Sequence, residues 1–383
     1  MSAYARLPAT MDTVTQALLG ATVGQACFGH RLGRRAALWG ALGGVVPDLD
    51  MAAVALAGPL AEFRYHRGLT HALWFGPVVG PLLGYAAWRW QAAARRREVA
   101  SGRLPVANGP PHRGDKALLG TWMTLMVLAL FTHPLLDVFT TYGTQLLAPF
   151  SHRRFAVDGV AIIDFLYSGA LAAALVVGSR AGPRLSRGAA IAALILTTGY
   201  LFYGVRLNAR AESEVARQLA AEGTSAASIR CYPTLFQPWL RRAVVRLPGE
   251  VRVGLLSLWE PRLVEWRRFS PPEHVLVDQL RETEEGRLFE WFAMGQTAAR
   301  VRPVAGGHVV EIEDLRYGFW GPPDQGIWGI RATFDERGRL QGGIERFNRQ
   351  PQEGVGSLVQ RIWRATFALE LEEARSGLGV AGS

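Results

Sequence analysis

The chain has 383 residues, of which 49% are hydrophobic, and its mean hydropathy is +0.10. This composition is too apolar for an ordinary soluble enzyme, and the length is sufficient for two domains. The formal net charge of +10 fits arginines that set membrane topology and meet lipid head groups, so we expect no nucleic-acid partner.

Long apolar runs are concentrated in the N-terminal half of the chain. A helix needs about twenty apolar residues to cross a bilayer, and four segments meet this length while two more are apolar but interrupted. Pro47, Asp48 and Asp50 interrupt the second of these two, which predicts two short helices that meet at a bend. In chain order the segments are Thr13–Phe28, Ala36–Ala57, Leu69–Trp90, Ala117–Phe139, Val160–Gly178 and Gly188–Val205.

After Arg206 the sequence is polar, rich in arginine and typical of a folded domain with strands. We therefore predict a mainly α polytopic membrane domain over residues 1–206, followed by an α+β extramembrane domain of open role over residues 207–383. Its closing helix is amphipathic, a pattern that favours packing against the core over membrane binding. The predicted elements are a hairpin of Ala243–Leu247 and Val251–Leu258, a helical segment His274–Met294, strands Thr297–Val304 and Gly307–Tyr317, a hairpin within Ile327–Phe347, and the helix Ser357–Ala374.

Basic residues between the apolar segments predict the orientation of the chain in the membrane. Because arginines favour the cytoplasmic side, three arginine clusters belong there, and alternation of the spans places the chain after Arg206 outside. We therefore expect a multi-pass protein of a bacterial-type inner membrane, with the lipid bilayer as its partner. The cytoplasmic clusters are Arg31/Arg34/Arg35, Arg89/Arg95/Arg96/Arg97 and Arg180/Arg184/Arg187.

Three short polar strings, Pro47–Asp50, His66–His71 and His133–Asp137, lie in or next to the apolar segments. Ionisable groups are costly at membrane depth and therefore indicate a functional site, and the alternation of spans brings all of these strings to the outer face. His133 and Asp137 are four residues apart, which puts both on one face of a helix. Mixed imidazole and carboxylate ligands suit zinc or manganese, as one or two ions. The candidate ligands are Asp48, Asp50, His66, His71, His133 and Asp137.

Carboxylates and arginines in the same region predict a hydrolytic mechanism. A bound metal ion would activate a water molecule, which Asp48 or Asp50 would orient or deprotonate. Arg67 would hold an anionic head group. The pair Arg153 and Arg154 falls in an outer loop, against the general bias of arginine for the cytoplasmic side, and anion binding would explain its position.

Each of these polar residues also has a simpler explanation. A single buried His or Asp can bridge helices by hydrogen bonds without any ligand. Asp164, which follows two isoleucines, is a further site candidate and could equally cap its helix. A membrane scaffold or transporter, in which the polar groups form structural contacts or an ion path, is therefore the alternative to an enzyme.

Eight segments carry motifs in a fixed order along the chain. They are Met11–Gly20, Pro47–Asp50, His66–His71, His133–Asp137, Tyr142–Gln145, Pro149–Phe155, Ile162–Asp164 and, more faintly, Tyr232–Pro238. In this combination they resemble the YdjM-type inner-membrane metal-dependent hydrolases, and the likeness covers about residues 11–240.

The resemblance implies a helical site that binds a divalent metal and cleaves a phosphoester or lipid-like substrate. The family is thought to be distantly similar to zinc-dependent phospholipases C and single-strand nucleases. One position departs from the family pattern, which usually has His where this chain has Gln16. Because glutamine is a poor metal ligand, the departure predicts a site that lacks one ion or holds it weakly, or a degenerate member without activity.

Overall fold

The computed structural model of the protein describes residues 7–102, 113–259, 263–318, 325–349 and 354–367. Within these residues the N-terminal half is helical and the C-terminal half contains two antiparallel sheets, as the sequence predicts. The N-terminal helices are α1 (Leu7–Leu32), α2 (Arg34–Val45), α3 (Asp50–Val54), α4 (Ala61–Tyr65), α5 (Phe75–Ala100), α6 (Arg113–Val138), α7 (Phe165–Arg180) and α8 (Pro183–Ala221).

Three of the six predicted apolar segments lie in helical stretches that are long and apolar enough to cross a membrane. These stretches are Arg34–Val54, Leu118–Val138 and Pro183–Ala221. The predicted segment Val160–Gly178 is shorter as a helix than expected, because α7 begins only at Phe165 and has 16 residues. The chain before Phe165 is extended at Asp164, whose carboxylate caps the helix.

The predicted segment Leu69–Trp90 also begins as a helix later than expected. Leu69–His71 form a 3-10 turn, and α5 starts only at Phe75. The Thr70 hydroxyl donates a hydrogen bond to the Asp50 carboxylate and so ties the turn to another chain segment. The sequence predicts a tight turn at Arg67–Thr70 that leads into this segment, with Thr70 as the helix cap; the turn is present, but Thr70 does not cap α5, which begins five residues after it.

The interruption of the α-helix predicted at Pro47 is confirmed. α2 ends at Val45, and Val46–Leu49 form a 3-10 turn before α3 begins. Proline lacks an amide hydrogen, so one α-helical hydrogen bond is missing here and the geometry changes to 3-10, while Val45, Val46, Leu49 and Asp50 keep right-handed helical dihedral angles. The turn carries Asp48 against α6 and against the turn that contains His71. Pro134, by contrast, lies inside α6 without ending it.

Small residues let α1 and α2 approach each other closely. A Cβ atom added to Gly44 would lie 2.4 Å from the Gln16 carbonyl oxygen, and one added to Gly20 would lie 2.2 Å from the Gly40 carbonyl oxygen. Backbone contact of this kind is typical of helix pairs in membranes. It brings Gln16 and Gly44 together beside α6, where both contact His133.

The C-terminal half contains two four-stranded antiparallel sheets, with strand orders β1-β2-β3-β4 and β5-β6-β7-β8. Its predicted hairpins and strands are confirmed, whereas the predicted helical segment 274–294 is two helices, because Thr283 caps a second one. The elements are β1 (Ser228–Pro233), β2 (Leu240–Leu247), β3 (Glu250–Ser257), β4 (Arg267–Phe269), α9 (Val275–Glu282), α10 (Glu284–Phe292), β5 (Thr297–Val304), β6 (Gly307–Asp314), β7 (Trp328–Asp335), β8 (Leu340–Asn348) and α11 (Val355–Phe367).

Helix α8 connects the two halves without a break. It passes through Arg206, the predicted domain boundary, and its last turns bury Ala211 and Val215 against the first sheet. At the other end of the chain, the inner face of α11 buries Leu358 and Ile362, so this helix is core-facing as predicted. The last part of that predicted helix, residues 368–374, lies outside the described residues.

The second sheet shares a hydrophobic core with loops of the helical half. Phe63 of α4 and Tyr142 of the loop after α6 are buried among side chains of α9, α10, β6 and β7. The ring centroids of Phe63 and Phe292 are 4.5 Å apart, and those of Tyr142 and Phe292 are 5.1 Å apart. The C-terminal half therefore supports the loops that carry the polar string His66–His71.

Candidate metal centre

Asp48, His71 and His133 form a group that could hold a metal ion. One ligand atom from each lies within 4.8 Å of the others. The Nε2 atoms of the two histidines are 3.0 Å apart. The Asp48 Oδ1 atom lies 3.5 Å from His71 Nε2 and 3.4 Å from His133 Nε2. Both histidines are buried. The two 3-10 turns and α6 thus bring their side chains to one point.

The outer nitrogen of each imidazole contacts an oxygen that fixes the position of its proton. His133 Nδ1 lies 2.6 Å from the Gly44 carbonyl oxygen, which can only accept a hydrogen bond. His71 Nδ1 lies 3.0 Å from the Thr70 hydroxyl oxygen, whose own hydrogen goes to Asp50 Oδ2 at 3.1 Å. We therefore assign both protons to Nδ1, which leaves a lone pair on each Nε2. This is the arrangement of metal-binding histidines.

Asp137 completes the cluster with one oxygen. Its Oδ1 atom accepts a hydrogen bond from Gln16 Nε2 at 3.0 Å and lies 3.2 Å from Arg67 Nη2. Its Oδ2 atom lies 3.3 Å from His71 Nε2 and 3.5 Å from His133 Nε2. Oδ2 is buried and has no hydrogen-bond donor among the described residues. An unsatisfied buried carboxylate oxygen is costly, and a cation beside it would remove that cost.

Asp50 and His66 form a pair on the more open side of the cluster. His66 Nδ1 lies 3.0 Å from Asp50 Oδ1, and both side chains retain about a tenth of their exposure. Asp50 Oδ2 accepts hydrogen bonds from the Arg67 amide at 3.3 Å and the Thr70 hydroxyl at 3.1 Å. Asp50 Oδ2 also lies 3.6 Å from His71 Nδ1, so Asp50 borders one histidine of the cluster, whereas Asp48 lies against the Nε2 atoms of both.

Gln16 and Asp164, which the sequence indicates as further candidate site residues, have different surroundings. Gln16 is buried against the cluster, where its Nε2 atom also donates to the His133 carbonyl oxygen at 3.3 Å. Its Oε1 atom has no partner among the described residues. Asp164 instead accepts hydrogen bonds from the amides of Leu166 and Tyr167 at 3.0 Å and from the Tyr200 hydroxyl at 2.6 Å. These contacts explain Asp164 as a helix cap.

Arg67 is buried beside the cluster. Its backbone has a φ angle of +57°, and its guanidinium group donates to the Thr140 hydroxyl at 2.7 Å and lies over the Tyr142 ring. A positive φ angle is uncommon outside glycine, and residues held there against this cost often belong to functional sites. Its ion pair with Asp137 turns the free oxygen of that carboxylate towards the histidines.

The side chains of Arg153 and Arg154, which the sequence predicts to bind an anion, lie in different environments. Arg154 is buried, and its Nη2 atom donates to the carbonyl oxygens of Tyr142 at 3.3 Å and Gly143 at 2.8 Å. Burial lowers the pKa of Arg154 to about 10. Arg153 is exposed, with its guanidinium group over the Phe155 ring. Arg154 thus holds the loop together, and Arg153 is the one that faces solvent.

Sequence reasoning missed several groups that orient the site. The Gly44 carbonyl, the Thr70 hydroxyl and the Thr13 hydroxyl, which donates to Asp48 Oδ2 at 3.1 Å, all hold a candidate ligand in place. Thr70 stands inside a polar string and could have been found there. A backbone carbonyl such as that of Gly44 leaves no mark in the sequence.

Apolar helices with a buried His/Asp cluster at their ends define a membrane protein with a candidate metal site. A comparison with protein families matches the YdjM inner membrane protein family over residues 11–211. Because this match covers more than half of the chain, the protein belongs to that family. No curated protein and no solved structure matches the chain. The matched range contains the whole cluster and ends within α8, before the first sheet.

Proposed function

We propose that this protein is a membrane-bound metal-dependent hydrolase that acts on a phosphoester or lipid-like substrate. One observation carries the proposal. The Nε2 atoms of His71 and His133 meet a carboxylate oxygen of Asp48, and Asp137 Oδ2 lies against both histidines, while the Nδ1 atoms of the imidazoles contact other oxygens. Lone pairs and negative charge directed at one point are stable only with a cation or proton between them.

The donor set fits zinc, and also manganese. Two imidazole nitrogens and two carboxylate oxygens are ligand types that both metals accept. His71, His133, Asp48 and Asp137 would hold the ion. When bound, such an ion lowers the pKa of a coordinated water and polarises the oxygen of the bond to be cleaved.

The protein supplies the remaining groups of the reaction. The Asp50/His66 pair lies beside the cluster and is partly open, so it is placed to accept a proton from water. Arg67 holds Asp137 in position through their ion pair. Arg153 is the exposed cation of the neighbouring loop and would meet an anionic head group.

Exposed apolar side chains around the cluster support a lipid-like substrate. Leu49 lies between the two carboxylates of its string, and Leu69 lies between Arg67 and His71, yet both are exposed. Phe150, in the adjoining loop, has 89% of its side chain exposed. This loop is joined to the site by a hydrogen bond of 2.9 Å from the backbone N–H of Gln145 to the backbone carbonyl oxygen of Arg67. Apolar groups that rim a polar site suit an amphiphilic molecule.

Metal content and turnover test the proposal together. Detergent-purified protein is expected to contain stoichiometric zinc or manganese by elemental analysis. It should also hydrolyse a phospholipid in mixed micelles, lose this activity with a chelator and regain it with the metal. Protein without any transition metal, but folded and monodisperse, would favour a scaffold or transporter with structural polar contacts.

A degenerate enzyme that binds metal without turnover is the second candidate. Gln16 favours it, because its amide occupies the place beside Asp137 where the family usually has His. Stoichiometric metal with no hydrolysis of any phosphoester or phospholipid would support this candidate. Hydrolysis that depends on the bound metal would exclude it.

We also propose that the site and the C-terminal half lie on the non-cytoplasmic side. Arginines predicted to be cytoplasmic meet at the opposite end of the helices, where Arg31 donates to the Thr121 hydroxyl at 3.2 Å and Arg34 donates to the Ser179 carbonyl at 2.9 Å. Thr121 and His133 lie on the same helix, about 18 Å apart at 1.5 Å per residue. This separation is more than half the thickness of the hydrocarbon core.

Cysteine labelling tests this orientation. In a background without Cys27 and Cys231, Val304→Cys lies in an exposed part of β5 and should react with an impermeant maleimide in intact cells. Arg96→Cys, in a cytoplasmic cluster, should react only after lysis. The reverse pattern would invert the orientation.

A further inference from the structure

A cluster of aromatic side chains joins the C-terminal half to α8. Tyr203 on α8 accepts a hydrogen bond from the Trp239 indole nitrogen at 3.2 Å. The Trp239 and Trp259 ring centroids are 5.3 Å apart, and the Trp259 and Phe367 centroids are 5.1 Å apart. Trp363 stacks on Phe367 at 5.2 Å. We call these five residues the aromatic cluster. Tyr203 lies on α8, Trp239 in the connection between β1 and β2, Trp259 just after β3, and Trp363 and Phe367 on α11.

The aromatic cluster meets α8 where the exposed face of the helix changes character. Before this point the exposed side chains include Ile195, Leu196 and Phe202, as expected for a surface that faces lipid. After Tyr203 they include Arg206 and Arg210. A transmembrane helix shows such a change where it leaves the hydrocarbon region, and tyrosine and tryptophan are enriched at that level.

Much of the aromatic cluster is not covered by the protein. Trp259 is 59% exposed and Trp363 is 37% exposed. The buried face of α11 is a separate surface formed by Leu358 and Ile362. Exposed apolar patches with indole groups mark sites of contact with a membrane or a protein.

We propose that the aromatic cluster lies in the interfacial region of the bilayer and holds the C-terminal half against the membrane surface. The bilayer is the partner of this surface, because the aromatic cluster continues the lipid-facing side of α8. Phe202 and Tyr203 lie on that side, and Tyr203 is hydrogen-bonded to Trp239 of the C-terminal half. Indole rings suit the head-group level, where their apolar bodies and N–H groups are both satisfied. The cluster would thereby fix the height of the second half above the membrane, independently of any catalytic function.

Quenching by nitroxide lipids tests this proposal on the full-length protein in lipid nanodiscs. A fluorescent label on Trp259→Cys, in a background without Cys27 and Cys231, should be quenched strongly by lipids that carry the nitroxide near the head group. It should be quenched less by lipids that carry it near the end of the acyl chain. Leu196→Cys, on the exposed apolar face of α8, should show the opposite order.

Val304→Cys is the control outside the membrane, because it is exposed on β5, in the other sheet. Its label should remain several-fold less quenched than the one on Trp259→Cys. Trp363→Cys repeats the test at the second exposed tryptophan of the aromatic cluster, on α11. If labels at both 259 and 363 are quenched no more than that at 304, the proposal is overturned. The proposal is also overturned if these labels are shielded from solvent only when two copies of the chain cross-link through this surface.

Discussion

Two of the regions that bury ionisable groups in this protein differ in how completely their polar atoms are paired. In the second sheet, Arg316 Nη2 lies 2.7 Å from Asp314 Oδ2, and its Nε atom donates to Oδ1 at 3.0 Å. In the candidate metal centre, two Nε2 lone pairs face Asp137 Oδ2, which has no donor among the described residues. Incomplete pairing of polar atoms, more than burial of charge, is therefore the property on which the proposed ligand site rests.

The paired cluster has the properties of a structural contact. Burial alone would lower the pKa of Arg316, but the Asp314 carboxylate raises it above its ordinary value. Arg316 also donates to the carbonyl oxygens of Thr141 at 2.9 Å and Phe292 at 3.1 Å. These bonds join the second sheet to the loop before Tyr142, close to the region that carries Arg67. The paired cluster thus stabilises the fold around the unpaired one.

The largest effect is expected from removal of a candidate ligand. His133→Ala should abolish nearly all bound metal, because the imidazole nitrogen is lost from the centre of the cluster. Elemental analysis of monodisperse protein measures this. His30→Ala, which removes an exposed histidine at the end of α1, is the matched control and should retain full stoichiometry. Equal metal content in both variants would contradict the assignment of the centre.

Removal of a paired charge should destabilise the fold without emptying the site. Arg316→Ala leaves the Asp314 carboxylate buried without its cation, which is expected to cost about 3–5 kcal/mol of unfolding free energy. Arg302→Ala, whose partly exposed side chain pairs with Glu311, should cost at most ~1 kcal/mol. Denaturation followed by circular dichroism compares them. If folded Arg316→Ala protein also loses its metal, the prediction that the Asp314–Arg316 pair is structural and separate from the metal centre is contradicted.

A smaller effect on metal affinity is expected from the group that orients His71. Thr70→Val removes the hydroxyl between His71 Nδ1 and Asp50, which should weaken metal binding by about 10–100-fold. Thr132→Val is the control, because this hydroxyl only contacts carbonyl oxygens of its own helix although it stands next to His133. Titration with a competing chelator gives both affinities. An unchanged affinity for Thr70→Val would mean that the hydroxyl does not orient the ligand.

The smallest change is expected at Gln16. Gln16→His would place an imidazole beside Asp137, at the position where the family usually has His, and should raise metal occupancy or hydrolytic activity. Gln25→His, on the same helix but hydrogen-bonded to Ser186, should change neither quantity. If Gln16→His also leaves both unchanged while His133→Ala removes the metal, Gln16 serves helix packing only.

Local sequence patterns predicted much of the fold. The proline and two carboxylates at 47–50 predicted the interruption of the α-helix, and two apolar runs joined by Pro-Gly-Glu predicted the hairpin of β2 and β3. Helix starts were less accurate, since α5 begins at Phe75 and not at Leu69. There Thr70 donates a hydrogen bond to the Asp50 carboxylate and does not cap α5, and no pattern in adjacent residues contains that contact.

By itself, the sequence determined which side chains could bind a metal, because spacing and hydropathy are local properties that place His133 and Asp137 on one helix face. Only the tertiary structure decided that Asp48, and not Asp50, lies against both histidines. It also turned Arg154 inwards and brought the Gly44 carbonyl to His133. The physical reason is that these contacts join segments distant in the chain, whose meeting depends on how α1, α2 and α6 pack together.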